Sequence, residues 1–416
     1  MQGSAGAAPV DEAWQIDRLV AAHAASAAVV RRTPVLTSAS ISERCGGTVA
    51  LKAECMQRTG SFKLRGALNK LRTLGDGADA ARGVVAGSAG NHAQALAYAA
   101  RHVGVPCEIF MPVDAAVSKL DAVRAFDARV HQQGGSVDEC VELARRRAEE
   151  ADLVLVHPFD DRDVIAGQAG VGIELAEDVE DLRRVIVPIG GGGLASGVAL
   201  ALTQLRPEVE VIGVQAARCA PVAASVADGG PIEPQGSRTI ADGIAVKRPG
   251  ALTLPLIRRW LTRVVTIEED AIAEAMVILL ERSKLLVEGA GATALAALLT
   301  ETVTPARDGT TVAILSGGNV DLGLLATIAA HAETRAGRRA RFHTRVRDRP
   351  GGLAELLTTL AGVHANVLAL EHVRDGIELP LRETGVAVTI ETRGTTHLQR
   401  VLARLRGAGY ELTVEA

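Results

Sequence analysis

Short apolar runs alternate with longer stretches of helical periodicity along most of the chain, and this alternation constrains the fold more than any other feature. The runs are "TVALKAEC" (48–55), "GVVAGS" (83–88), "PCEIFMP" (106–112), "ADLVLVHP" (151–158), "RVIVPIGG" (184–191), "VEVIGVQA" (209–216) and "TVAILSGG" (311–318). Several are continuous rather than alternating, as suits strands covered on both faces. Between them, stretches such as "NHAQALAYAARHVG" and "GQAGVGIELAEDV" carry apolar residues at helical spacing. Strands that alternate with helices predict a mostly parallel, layered α/β sheet. Hydrophobic residues make up 48% of the chain but aromatics only 2%. The core must therefore be built from Ala, Val, Leu and Ile.

The pattern changes near residue 331. "HAETRAGRRA" (331–340) is polar and basic and reads as a linker. Beyond it come a strand ("RFHTRVRD"), a helix ("GGLAELLTTLAGV"), two strands ("NVLALEHVR", "GVAVTIETR"), a helix ("THLQRVLARLRGAG") and a last strand ("YELTVEA"). That order predicts a ferredoxin-like βαββαβ unit.

A formal charge of -4 and a pI near 6.2 argue against nucleic acid as a partner, which needs a basic face. No apolar run reaches the ~18 residues of a membrane span, so no membrane is expected either. "MQGSAGAAPVDEAW" lacks the features of a signal peptide. Five scattered cysteines without a C-x-x-C indicate neither a zinc site nor a disulfide framework. A reduced, cytoplasmic setting is expected.

Four stretches bear on chemistry. In "QRTGSFKLRGALNK" (57–70), Lys63 is one of only six lysines among 45 basic residues. Ser61 is expected to cap a helix beginning at Phe62. Lys63 then lies in the first turn, where the helix dipole and apolar neighbours lower the amine pKa and favour a nucleophile. An ordinary surface lysine satisfies the same pattern. In "AGSAGNHAQALAYAA" (86–100), a strand ends at Ser88 and a helix begins near Asn91. Such a turn can hold a carboxylate on backbone N–H groups, or be a plain strand–helix turn with Asn91 as cap. In "PIGGGGLASGVALAL" (188–202), four glycines follow a buried strand and open a helix. This is a phosphate cup without a nucleotide fingerprint. In "AILSGGNVDLG" (314–323), Ser316 stands at a strand's C-terminal end, where open α/β sheets bind ligands, or in a simple turn. One phosphorylated carbonyl cofactor, pyridoxal phosphate, would use all four.

In order and spacing, "GSFKLRGA", "SAGNHAQ", "GGGGL" and "SGGN" resemble the serine/threonine dehydratase family over roughly residues 15–330. These are pyridoxal-phosphate enzymes of the tryptophan-synthase-β-like fold (fold type II). The tail, with "RVRDRPGGLAELL", "ANV" and "ETRG", resembles the ACT-type regulatory domain of some threonine dehydratases. The resemblance implies a catalytic domain over 1–330 in two α/β subdomains, the smaller roughly 60–155. A linker (331–339) and an ACT domain (340–416) would follow. It implies that Lys63 forms the Schiff base, and that Asn91 bonds the phenolic oxygen of the cofactor. Gly190, Gly191, Gly192, Gly193 and Leu194 would hold its phosphate, Ser316 would bond the pyridine nitrogen, and Glu288 in "VEGAGA" would lie near the ring. The backbone of Ser88, Ala89, Gly90, Asn91 and His92 would receive the substrate carboxylate.

The implied reaction is β-elimination on L-threonine, giving 2-oxobutanoate and ammonia, with L-serine giving pyruvate. Isoleucine or valine would bind the tail near Gly351 and Gly352, covered by Asn366, in a homodimer or homotetramer. Alternatives are a serine racemase or other β-hydroxy-amino-acid lyase, and a non-catalytic amino-acid sensor. Racemases of the family carry a serine at the position of Ala89, and alanine has no proton to give. Some relatives hold a divalent cation through a glutamate where this chain has Gln215, so no metal is expected there.

Overall fold

The computed structural model describes residues 11–75, 77, 82–232, 238–373 and 382–415. It divides into two compact units, Met1–Val320 and Asp321–Ala416.

The first unit holds ten strands among the described residues: β1 (Val35–Thr37), β2 (Val49–Lys52), β3 (Val84–Gly87), β4 (Cys107–Met111), β5 (Arg129–Gln132), β6 (Val154–Leu155), β7 (Leu182–Pro188), β8 (Glu210–Ala216), β9 (Arg263–Ile267) and β10 (Thr310–Ile314). They form two sheets. The larger runs β1-β2-β10-β7-β8-β9, parallel except for β1 against β2. The smaller runs β5-β4-β3-β6 and is parallel throughout. The central strands β2, β3 and β10 are buried at every residue, as strands covered by helices on both faces must be. Val187, Ile189, Val198, Leu202 and Val312 belong to the core around the larger sheet. Leu64, Leu68, Val84, Leu96 and Ile109 belong to that of the smaller sheet, which also takes in Val29, Val30 and Val164.

Two features of this topology position the site. β10 and β7 are parallel neighbours with Val312 opposite Val185, so the Ser-Gly-Gly turn after β10 and the glycine run after β7 emerge at the same edge. The helix Lys63–Thr73 packs with the smaller sheet's core, while β2, just before it in the chain, belongs to the larger sheet.

All five cysteines are free, and all but the half-buried Cys55 are buried. Burial pushes the thiols of Cys45 and Cys140 up to about 11 and those of Cys55 and Cys107 up to about 12. Among the described residues no helix is long and apolar enough to cross a membrane.

The second unit opens with the helix Leu322–Arg335. This helix runs through residues 331–335, where the composition suggested a linker. Polar residues such as those of "HAETR" sit comfortably on an exposed helix face, so a change of polarity did not end the helix. Then follow β11 (Arg339–Arg347), the helix Gly352–Gly362, β12 (Asn366–Val373), β13 (Glu383–Glu391), the helix Thr395–Gly407 and β14 (Thr413–Val414). The sheet order is β12-β13-β11-β14, antiparallel at every pairing. Phe342, Leu356, Leu360, Val388, Val401 and Leu405 make its core. This is the expected βαββαβ unit.

Candidate active site

Lys63 is the first residue of its helix, one position later than expected, and Ser61 does not cap it. Ser61 instead forms an isolated bridge with Gly317, and Phe62 donates its N–H to the carbonyl of Ser316 at 3.1 Å. Pairing with the turn after β10 draws Ser61 away from the helix axis and leaves its buried hydroxyl without a partner. The Lys63 ammonium donates to the Pro158 carbonyl at 2.7 Å and lies 5.2 Å from the centre of the Phe62 ring. Burial lowers the amine to about 8, although the Glu288 carboxylate pulls the other way. The side chain is half-buried and its ammonium is held by a main-chain carbonyl, unlike a lysine that extends freely into solvent.

The helix Asn91–Val103 begins after Gly90, which takes the cap position in place of Asn91. That frees the Asn91 side chain. Its Nδ2 donates to Glu288 Oε1 at 2.7 Å, and its Oδ1 accepts from Asn319 Nδ2, also at 2.7 Å. Glu288 is buried, and burial, reinforced by Asp242, lifts its carboxyl to about 7 against the bond from Asn91. His92 turns away from this group. Its Nε2 pairs with the Val156 carbonyl at 3.0 Å, and burial, with Lys63 nearby, drives the imidazole down to about 3, so it is neutral. Ser88 accepts the N–H of Gly90 on its hydroxyl at 3.3 Å, and Ala89 is half-buried in the same turn.

The glycine run closes on the segment after β6. A Cβ on Gly191 would collide with the Phe159 ring, and one on Gly193 would lie 3.0 Å from the Phe159 carbonyl. Gly192 has φ +98°, a conformation that favours glycine, with Thr253 and Ile257 within contact of any added carbon. The run is therefore demanded by packing as well as by any ligand. Thr253 donates its hydroxyl to the Gly191 carbonyl at 2.5 Å, and Asp160 accepts the N–H groups of Ala251, Leu252 and Thr253. The helix that opens here, Gly193–Leu205, has no acidic residue in its first turn. Its N-terminus therefore keeps its attraction for an anion.

Three links thus join the four motifs: Phe62 to Ser316, Asn91 to Asn319, and Lys63 through Pro158 and Phe159 to Gly191. Ser316 is buried on the strand end beside the glycine run. A lowered amine, an anion-attracting glycine turn and buried polar groups between them fit a phosphorylated carbonyl cofactor.

Asn319, Pro158, Phe159 and Asp242 were not singled out from the sequence. Asn319 stands inside the quoted "SGGN", and Phe159 is one of only five phenylalanines, the two signals that were available. Gln215 has both ends of its amide occupied, donating to the Ile189 carbonyl at 3.1 Å and accepting from Ala223 N–H at 2.9 Å. No group of three or more metal-ligating side chains occurs among the described residues.

In the second unit, Gly351 (φ +91°) caps the helix Gly352–Gly362, and a Cβ on Gly352 would strike the Arg347 carbonyl. Asn366 does not join them within one chain. The expectation placed it on a neighbouring strand, but β13 lies between β11 and β12. Register sets Asn366 opposite Glu391, level with Arg339 at the far end of β11 from the turn, and Asn366 bonds Glu391 at 3.0 Å.

The family described as "Pyridoxal-phosphate dependent enzyme" matches residues 27–317, and the ACT domain matches residues 344–409. The chain is 43% identical over 385 residues to a protein named L-threonine ammonia-lyase from Geobacter sulfurreducens, covering 92% of this chain and 95% of that one. Among solved structures, maize serine racemase superposes with a TM-score of 0.72 at 37% identity, over 77% of this chain and 98% of that one. The T.th. threonine deaminase superposes with a TM-score of 0.69 at 38% identity, over 74% of this chain and 99% of that one.

Proposed function

The chain belongs to the pyridoxal-phosphate-dependent enzymes and carries an ACT domain, and from that premise we propose that it deaminates L-threonine to 2-oxobutanoate and ammonia. The observation that carries this reading is the Lys63 amine, lowered by burial to about 8 and linked through Pro158 and Phe159 to the glycine run. The similarity to L-threonine ammonia-lyase over nearly the whole length supports it. Bound pyridoxal phosphate supplies a carbonyl for amines and an electron sink for the bond broken at Cα.

The chain's own residues do the rest. Lys63 Nζ would hold the carbonyl end of the cofactor, and with an amino acid bound it would be the base placed to take the Cα proton, which an amine of lowered pKa can do near neutral pH. The backbone N–H groups of residues 190–194 would hold the phosphate at the helix start. Asn91 would orient the ring of the bound cofactor through its amide, and Ser316 would offer the ring nitrogen a hydroxyl, a weaker partner than a carboxylate. Of residues 88–92, Ser88 spends its N–H on the Phe110 carbonyl and Gly90 its own on the Ser88 hydroxyl, so the N–H groups of Ala89, Asn91 and His92 would hold the substrate carboxylate, with Glu288 beside Asn91.

L-serine is a second substrate, giving pyruvate. Racemisation is disfavoured despite the likeness to maize serine racemase, because Ala89 offers no proton. The enzyme is cytoplasmic and a homo-oligomer. Its ACT domain binds isoleucine or valine at the Gly351–Gly352 turn, with Asn366 supplied by the neighbouring subunit, since register separates the two within one chain.

Steady-state kinetics on L-threonine and L-serine, with and without isoleucine and valine, test the reading. Ketoacid from L-threonine, with rates shifted by isoleucine, is the expected result. A cofactor-loaded enzyme that turns over neither amino acid would overturn it.

A further inference from the structure

Behind the lysine helix lies a buried group of four charged side chains, each between 0% and 2% exposed: Lys52, Glu54, Arg65 and Glu174. Arg65 is its centre. Its Nε and Nη2 bond the two oxygens of Glu54 at 2.9 and 2.8 Å, and its Nη1 and Nη2 bond the two oxygens of Glu174 at 2.7 and 2.9 Å. Lys52 completes the set, reaching Glu174 at 2.6 Å and the Thr33 carbonyl at 2.8 Å, and Thr33 donates its hydroxyl to Glu54 at 2.5 Å. Lys52 also lies 3.7 Å from Asp178, a carboxylate paired with Arg32, so the buried network continues at one end to the surface. Burial pushes Glu54 up, but Arg65 and Lys52 outweigh it and hold the carboxyl below its usual range.

The four come from different elements. Lys52 ends β2, Glu54 follows it, Arg65 stands in the lysine helix, and Glu174 lies on the helix Arg162–Asp178. Burying four charges is costly, and a well-packed apolar cluster of the same size would usually serve stability as well. What charges add is direction: a guanidinium fork held by two carboxylates admits one rotation of its helix. Positions two apart on a helix point about 200° from each other. Arg65 therefore faces away from the side on which Lys63 meets Pro158.

We propose that Arg65 is a positioning residue, whose double fork to Glu54 and Glu174 sets the rotation of the helix so that the Lys63 amine meets the reacting atoms. The proposal rests on the assignment of Lys63 as the active amine. A lysine Nζ lies roughly 6 Å or more from its helix axis, so a rotation of about 10° moves it by about 1 Å. A misplacement of that size costs on the order of 100-fold in rate. Glu54 ties the second end of the device. The next residue, Cys55, donates its N–H to the Leu315 carbonyl at 3.0 Å, beside Ser316. One network thus registers both Lys63 and the Ser316 strand end.

The test compares Arg65→Lys, which keeps the charge and loses the fork, with Leu71→Ala, a cavity two turns further along the same helix. Both are measured as cofactor-loaded, full-length enzymes for kcat and KM on L-threonine, thermal midpoint, and induced circular dichroism of the cofactor band. Arg65→Lys should lower kcat about 10- to 100-fold with KM changed less than about 3-fold, and alter the induced band. Leu71→Ala should lose comparable thermal stability while keeping kcat within about 3-fold and the band unchanged. Equal loss of kcat in the two variants at matched stability, or an unchanged band in Arg65→Lys, overturns the proposal. If Arg65→Lys does not fold, Glu174→Gln is judged on the same criteria. A wild-type enzyme without threonine turnover would instead refute the function proposed above, and it is measured first.

Discussion

Asn319 donates its side-chain N–H to the Asn91 side-chain oxygen at 2.7 Å, across 228 residues of sequence. The bond fixes which way the Asn91 amide faces, since its oxygen is taken and its nitrogen is left for Glu288 and for a ligand. Asn319→Ala should therefore weaken activity without touching the reacting amine. One lost hydrogen bond of about 1.4 kcal/mol corresponds to about a 10-fold fall in kcat/KM. Asn319→Asp should be worse, because the introduced carboxylate repels the Asn91 oxygen and would turn the amide around. Kinetics on L-threonine with both variants check the order; equal activity in both would contradict it.

Lys63→Ala should abolish the amine-dependent absorbance of the bound cofactor and cut ketoacid release by about 10²–10⁴-fold or more. Normal turnover in the purified variant would remove Lys63 from the reaction.

Ala89 sits half-buried in the turn that opens the Asn91 helix. Supplied with L-serine, the wild-type enzyme should release pyruvate with little D-serine, measured by chiral chromatography. D-serine formed at a rate comparable to pyruvate would show that another group returns the proton to Cα.

The charge on Glu288 should leave a signature in stability. Its folded value of about 7 exceeds the ordinary 4.5. Between those two pH values the folded chain holds a proton that the unfolded chain has released. Raising the pH through that window therefore removes stability, by up to about 3 kcal/mol. In cofactor-free protein, Glu288→Gln should lack this slope. Urea unfolding of both proteins at pH 5 and pH 8 measures the difference, and parallel behaviour would mean that Glu288 titrates normally.

Gly352→Ala should separate regulation from catalysis. An added Cβ meets the Arg347 carbonyl, so the turn must open. Basal kcat should stay within about 2-fold, while the isoleucine concentration for half effect rises about 10-fold, equivalent to ~1.4 kcal/mol. Titration of the full-length enzyme with isoleucine decides the matter. An unchanged response would put any effector site elsewhere.

Legibility in the sequence followed burial. β2, β3, β4, β7, β8 and β10 were readable as apolar runs because they are interior strands. β1, β5 and β9 were not, since they are edge strands, with patterns such as "RVHQ" that carry little apolar signal. β6 was overestimated: only Val154–Leu155 pairs within "ADLVLVHP". At the site, Lys63 could be found from its rarity and the glycine run from its cost. The Asn91–Asn319 pair could not, because no local rule links positions so far apart. Ser61 was misread as a cap because local propensity favours that role, whereas a contact with Gly317 decides its conformation. The strands of the second unit were legible as a ferredoxin-like unit, but not the register that sets Asn366 level with Arg339, at the far end of β11 from the glycine turn.

The raised thiols make the chain its own reporter of opening. At neutral pH almost none of Cys45, Cys55, Cys107 or Cys140 is thiolate, so an alkylating reagent finds little to attack until the surrounding structure lets water in. Cys107 and Cys140 lie on β4 and on the helix Val137–Ala151 beside the smaller sheet. Cys219 follows β8 of the larger one, and no cysteine occurs after it. Mass spectrometry of labelled peptides over time would read the breathing of each lobe separately, with the ACT domain silent in both records and no dye or engineered residue required.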